Sequence, residues 1–480
     1  MNKYQVTIGV EVHIELKTKT KCFSSGLNTF GAKPNTQVNE IDCGYPGTMP
    51  VLNQAVVVSA IKLATALKMQ IDPLLRFDRK NYFYPDLPKG YQITQYYHPF
   101  GQDGQLSIFV DQKPFIVSFE RVHIEEDTAK QIHEGSATYL DYNRAGIPLL
   151  ELVTKPVFSN SQQVVAYIQA LRRLLVALDI SDADMSQGSL RCDLNISLKP
   201  LAAKVLGTKV EIKNLNSLHN INLAIEFEII RQATILNNNQ TIISQTRRFD
   251  EKTKETALMR QKTSSIDYKY FREPNIFPIQ LDQQWINEII ANMPFLPNQI
   301  ANYLKTEFNL TDPEINILLA REDLRLIYQA VVKENNLPKE SINYLLGPVL
   351  KYLNQNNIIN INDTRLSFQH LSELIKLINQ EKVNNKQSQK ILTTIFNSNE
   401  NSPQQLLTIW DVKIINNQQE ISQIIAQLFQ ENPMRVDEYF TNPVKANKFF
   451  MGQIMKLTKG QVNPKITQEL IDKMILDYKK

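Results

Sequence analysis

Cysteine is scarce in this chain of 480 residues, which carries three: Cys22, Cys43 and Cys192. They are odd in number and far apart, and no CxxC pair occurs. Neither a disulfide framework nor a cysteine zinc site is supported, and a reducing, cytoplasmic setting fits. Glycine is also sparse, at 15 residues, and neither GxxxxGK[ST] nor GxGxxG is present. A glycine-rich phosphate cradle is therefore not expected. No G-x-S-x-G elbow occurs, which removes a serine amidase or hydrolase from this chain. The opening residues lack the apolar core of a signal peptide. No apolar run approaches the roughly 18 residues needed to cross a bilayer, so no membrane role is expected. An excess of one charge is missing too. Lys and Arg number 53 against 49 Asp and Glu, and the net charge of +4 does not by itself point to nucleic acid.

What is present suits a folded protein of two or three domains, with 42% hydrophobic and 21% charged residues. Residues 5–16 alternate. Val6, Ile8, Val10, Val12 and Ile14 share one face, and Thr7, Glu11, His13 and Glu15 share the other, which predicts a half-buried strand. Asn53 precedes an apolar-periodic segment to Met69, a helix with its N-cap. Strands are predicted over 106–125, broken at 111–112, and over 191–197 and 209–213. Helices are predicted over 161–178 and 220–236. This is an α+β domain on a mixed or largely antiparallel sheet. From Trp285 helical periodicity takes over, interrupted by an Asn-rich patch at 354–362 and by a polar stretch at 397–403 that reads as a linker. The chain thus divides into a sheet domain (1–290), an all-helical domain (291–400) and a small helical tail (404–480).

Several constellations suit chemistry. Glu11 and His13 project from one face of the first strand, an arrangement that suits a metal but that, in isolation, more often marks a solvated face opposite a core face. Glu125, Glu126 and Asp127 follow one another at a strand end, where convergence on a hard cation would explain their crowding. Alternation puts Glu125 with His123 and Glu126 with the apolar face; the residues alone leave open which turns inward. Glu151 stands in an apolar strand and needs a partner if buried, either a metal or an arginine such as Arg144. Residues 77–95 interleave aromatic and basic side chains in a segment rich in turn residues, suited to hold phosphate, nucleotide or a tRNA end by charge and stacking, or equally to be an ordered surface loop. Arg247, Arg248 and Arg260 can neutralise a triphosphate or pair with their own acids.

Taken together and in order, these segments resemble the B subunit of the aspartyl/glutamyl-tRNA amidotransferases. They are Gly9–Leu16, Tyr45–Asn53, Phe77–Gln95, His123–Asp127, Asp141–Glu151, Gly188–Asp193, Lys213–Ser217, Arg247–Glu251 and Met451–Gly460. The resemblance implies a cradle domain, a helical domain and a tail that contacts tRNA. It implies a ligase that uses ATP to phosphorylate the side-chain carboxylate of misacylated Glu-tRNA(Gln) or Asp-tRNA(Asn). Ammonia would arrive through a tunnel from a separate amidase, the A subunit, and a small C subunit would complete a heterotrimer. By position, Glu11, His13, Glu125 or Glu126, and Glu151 would line a magnesium site. Magnesium prefers oxygen, so His13 would touch a metal-bound water or favour manganese. Lys80, Lys89 and Arg191 would stand near phosphate or the tunnel exit, and Asp193 and Asn214 would help line the tunnel. A non-catalytic tRNA-binding scaffold is the alternative. Two departures stand out. Some family members place four zinc cysteines where this chain has Ser24, Gly26, Asn39 and Asp42, so no zinc is expected. A family proline is replaced by Arg272. In the tail, Val444, Phe449, Phe450, Gln453, Ile454 and Leu457 predict an apolar helix stripe, leaving Lys445, Lys448, Lys456 and Lys459 as a basic face for RNA phosphates.

Overall fold

The computed structural model describes residues 3–111, 113–261, 267–398, 401–411, 417–458, 461–462 and 464–477. It comprises two compact units, Met1–Gln299 and Ile300–Lys480.

Seven strands of the first unit position the candidate site: β1 (Tyr4–Glu15), β2 (Asp78–Asn81), β3 (Tyr91–Thr94), β4 (Lys113–Glu126), β5 (Pro148–Thr154), β6 (Leu190–Pro200) and β7 (Val210–Leu215). β1 lies between β5 and β6, antiparallel to both. β4 adds beyond β5, and β7 beyond β6. β7 pairs in parallel with Gln245–Asp250, so the ten-stranded sheet is mixed, as its alternating and interrupted runs predict.

Alternation along β1 sends Ile8, Val10, Val12 and Ile14 into the core. Three helices share that core: α1 (Gln54–Ala66), α2 (Ser161–Ala177) and α3 (Leu218–Asn237). Each fully buried Val, Leu or Ile contributes about 1.5–3 kcal/mol relative to exposure. Asn53, Asn160 and Ser217 cap the three helices by accepting from Ala55 N, Gln163 N and Asn220 N. α1 stops at Ala66, short of Met69, because Lys68 turns left-handed at φ +55°. Segment 77–95, rich in turn residues, contains β2 and β3 paired antiparallel, with Phe271–Arg272 added on β2. Arg272 sits opposite Asp78 in that ladder.

The second unit is built of helices around two separate apolar clusters, one over residues 304–407 and the other over 421–475. Pro348 lies in a single π-turn, Leu345–Val349, which absorbs its missing N–H. In the polar stretch at 397–403, Ser402 caps the helix Pro403–Ile409; Asn399 and Glu400 lie outside the described residues. The tail helix Pro443–Leu457 buries Ala446, Phe450 and Ile454, spaced by four. The expected stripe is therefore corrected at both ends: Val444 and Leu457 remain 65% and 62% exposed. Val444 is rotated about a third of a turn off the buried line, and Leu457 falls in the last turn. Lys448 and Lys456 face solvent, whereas Lys445 pairs with Glu438 at 2.7 Å. Lys459 and Gly460 lie outside the described residues. Among the described residues no helix is long and apolar enough to cross a membrane.

Candidate active site

Cross-strand register assembles the site. His13 on β1 lies opposite both Glu151 on β5 and Arg191 on β6, and Glu151 lies opposite His123 on β4. Two residues along, Glu11 faces Asp193; two residues the other way, Glu15 faces Leu149, which faces Glu125. Period two keeps all these side chains on the face away from Val10, Val12 and Ile14.

His13 Nε2 lies 3.4 Å from Glu151 Oε2, 3.6 Å from Glu125 Oε1 and 3.7 Å from Glu11 Oε1. His123 Nε2 lies 3.0 Å from Glu151 Oε2 and 3.6 Å from Glu125 Oε2. Two triads have ligand atoms within 4.8 Å of one another, Glu11–His13–Glu151 and His123–Glu125–Glu151, and Glu151 belongs to both. His123 is buried, and neither of its ring nitrogens makes an aligned hydrogen bond despite the short ion-pair distance. A cavity of about 360 Å³ opens over this face, rimmed by Lys80, Gln92, Arg191, Asp193, Lys213 and Asn214. Arg191 donates to Asp127 Oδ2 at 2.6 Å, and Lys213 donates to Asp193 Oδ2 at 2.6 Å.

Crowding acids in a buried place distorts their titration. Burial, then the charge of Glu151, pushes the Glu11 carboxyl up to about 7. Burial, then Asp127, pushes Glu15 up to about 7. For His13, burial opposes the charged form, but its hydrogen bond to Glu151 and the surrounding carboxylates prevail and raise it to about 9. His123 rises to about 10 in the same way, with burial outweighed by Glu151 and Glu125. Glu151 is held well below its ordinary range, burial being overcome by His123 and His13.

A pH dependence follows. Glu11 and Glu15 bind protons more tightly folded than unfolded, so their contribution to stability is complete below the ordinary value of 4.5 and is lost as pH rises through about 7. A divalent cation bound at the Glu11–His13–Glu151 group would compete for the Glu11 oxygens, and it is then expected to stabilise the protein at about pH 8 but not at about pH 5. Denaturant melts at the two pH values, with and without the ion, check this. Glu11→Gln should weaken the gain at the higher pH.

Of the residues expected at the site, Glu11, His13, Glu125 and Glu151 converge, and Lys80 and Arg191 line the cavity with Asp193 and Asn214. Glu126 and Lys89 do not join them. Glu126 turns to the opposite face of β4, where its carboxylate pairs with Lys89 and accepts Ile93 N at 3.0 Å. Buried there, it needs that cation. Glu151 is partnered by the two histidines rather than by Arg144, which donates to the carbonyls of Thr128 and Ala129. Arg247 is taken up by Thr256 and Gln245. Sequence reading passed over His123 and Lys213 as site residues. Alternation already placed His123 beside Glu125, but nothing local showed that Glu151 would stand opposite it.

Ser24, Gly26, Asn39 and Asp42 do meet, around Lys21. Lys21 is 0% exposed, and its ammonium donates to Asp42 Oδ2 at 2.9 Å. Ser24 Oγ donates to Asp42 Oδ1, and Asn39 N donates to Asp42 Oδ2. A Cβ at Gly26 would stand 2.5 Å from Asp42 Oδ2.

Two family profiles match this chain, one described as the GatB/GatE catalytic domain over residues 6–287 and one as the GatB domain over 326–475. The chain is 45% identical to the B subunit of the aspartyl/glutamyl-tRNA(Asn/Gln) amidotransferase of Mycoplasma mycoides subsp. mycoides, with 99% of both chains covered. It is 39% identical to the protein of the same name from Persephonella marina, over 98% of this chain and 100% of that one. It is also 39% identical to that from Geobacillus thermodenitrificans, over 98% of each. With similarity running through both units from end to end, the chain belongs to the family of aspartyl/glutamyl-tRNA(Asn/Gln) amidotransferase B subunits.

Proposed function

We propose that this chain is the activating subunit of a tRNA-dependent amidotransferase, a ligase of translation. The side-chain carboxylate of Glu on tRNA(Gln), or of Asp on tRNA(Asn), attacks the γ-phosphorus of ATP, and ADP leaves. Ammonia then attacks the acyl carbon, phosphate leaves, and the amide remains. The ammonia comes from a glutamine-using amidase, the A subunit, with a small C subunit completing the heterotrimer, in the cytoplasm where translation runs. The observation that carries this reading is the convergence of Glu11, His13, Glu125, Glu151 and His123 beneath a cavity rimmed by Lys80 and Arg191.

A divalent cation fits this donor set, because three carboxylates crowd together and the His123 nitrogens lack aligned partners. Magnesium held by Glu11, Glu125 and Glu151, with His13 reaching it through a water, would neutralise charge on the ATP phosphates. Lys80 and Arg191 orient phosphate oxygens at the rim, and the guanidinium fork of Arg191 is itself held by Asp127. Asp193, Lys213 and Asn214 offer a polar wall along which neutral ammonia exchanges hydrogen bonds. Exposed Lys448 and Lys456 on the tail helix suit tRNA phosphates.

The test is release of γ-phosphate by the reconstituted complex with Glu-tRNA(Gln), magnesium and no glutamine. Release is expected only with charged tRNA, and Glu11→Ala is expected to lower it about 100-fold while tRNA binding persists. An unchanged rate in Glu11→Ala would mean that the chemistry is housed elsewhere and that this chain is a scaffold presenting tRNA.

A further inference from the structure

Where β7 passes the acidic face, its register slips. Cys192 lies opposite Leu215 and Leu194 opposite Ile212, so one residue of β6, Asp193, faces two of β7, Lys213 and Asn214. This is a β-bulge, a device that re-aims side chains. Along β7, Val210 and Ile212 are buried, and strict alternation would bury residue 214 and turn residue 215 out of the core. The extra residue reverses this. Lys213 and Asn214 both line the cavity, and Leu215 joins Ile212 in the core. The slip is made at Asn214, whose φ is +65°. Such left-handed backbone suits glycine first and asparagine next.

The bulge delivers an ammonium to a particular carboxylate. Lys213 Nζ donates to Asp193 Oδ2 at 2.6 Å and lies 3.3 Å from Glu211 Oε1. Asp193 stands directly opposite Glu11 and on the same face of the sheet. By position it is the next acid in line for a cation. Yet the two converging sets of ligand atoms are Glu11–His13–Glu151 and His123–Glu125–Glu151, and neither includes Asp193. Its Oδ2 is committed to Lys213 instead. That exclusion matters to the chemistry. Magnesium that serves ATP phosphates is held by few carboxylates and keeps positions for water and phosphate oxygens. One more carboxylate would add charge and fill such a position.

We propose that Asn214 is a positioning residue: its left-handed bulge holds Lys213 against Asp193, and so keeps the Asp193 carboxylate out of the cation-binding group. This rests on the reading above that the acidic face holds a divalent cation, and it adds what limits the number of acids that do so. What position 214 must supply for this purpose is a backbone angle, and what position 213 must supply is a charge.

The experiment titrates manganese into the complete complex without ATP and reads the free ion by electron paramagnetic resonance. Lys213→Met, which leaves the backbone as it is, is expected to tighten manganese binding about 10-fold, since ligand charge count sets such affinities. Asp193→Asn added to Lys213→Met should return the affinity to that of wild type. Asn214→Val, with a branched side chain that rejects a positive φ, should tighten binding as Lys213→Met does, and Asn214→Gly should bind manganese as wild type does. Unchanged or weaker binding in Lys213→Met overturns the proposal. So does tightening that survives Asp193→Asn, or an Asn214→Gly variant that behaves like Lys213→Met. Failure of the cation reading looks different: wild type and Glu11→Gln would then take up manganese equally or not at all, and the proposal would fall with it.

Discussion

Glu151→Gln is expected to reduce ATP-dependent activation about 1,000-fold, more than any other single change on the acidic face. Glu151 alone belongs to both triads of ligand atoms and stands between both histidines. Removing Glu11 leaves His123, Glu125 and Glu151 together, whereas neutralising Glu151 dismantles both sets. The glutamine variant keeps the size of the side chain, so the strand pairing of β5 is preserved and the loss reads on charge. Titration with manganese as a probe ion should show affinity reduced in Glu11→Gln and abolished in Glu151→Gln. Equal, modest losses in the two variants would refute the shared role.

The second large effect concerns stability. Asp42→Ala leaves the Lys21 ammonium buried without its carboxylate, a defect that costs about 3–5 kcal/mol. Burial already depresses the Lys21 pKa, a sign that the charge is held at a cost which Asp42 offsets. Lys21 Nζ also donates to Tyr142 O, and Cys22 N donates to Gly146 O, so the damage should spread to the turn that leads into β5. Denaturant unfolding should show the midpoint of the first unit falling with little change in slope. Lys21→Met added to Asp42→Ala should recover part of the loss, since no charge is then buried alone. An unaltered midpoint in Asp42→Ala would show that the network is ornamental.

Local rules carried the sequence reading far. Alternation in β1 gave the strand, its buried face and the shared face of Glu11 and His13. Asn53 marked the start of α1 because a short acceptor side chain before an apolar run suits an N-cap. The same two-residue rhythm separated Glu125 from Glu126 without saying which turned toward the site. The answer depended on β5 lying between β4 and β1, a pairing between segments more than twenty residues apart that no local pattern encodes. Lys89 escaped for the same reason, as its partner Glu126 comes from another strand. The aromatic and basic run at 77–95 looked like a loop because Pro85, Asp86, Pro88 and Gly90 dominate its middle. Its two ends are strands, held by pairing with each other and with Phe271–Arg272. In the tail, helical periodicity was right and the stripe too wide, because Val444 lies off the line of Ala446, Phe450 and Ile454 and Leu457 falls in the last turn.

The strand register also bears on how such a chain can lengthen or shorten over evolution. One residue inserted within β1, β4, β5 or β6 would carry every later side chain of that strand across the sheet, exchanging carboxylates for leucines at the cavity. The hairpin of Lys130–Glu134 and Ala137–Asp141 is under no such constraint. It turns at Gly135, with φ +58° and open space around the site of a Cβ. Insertions and deletions are therefore free to accumulate at that turn, while the strands behind it act as a ruler whose divisions are handed down unchanged.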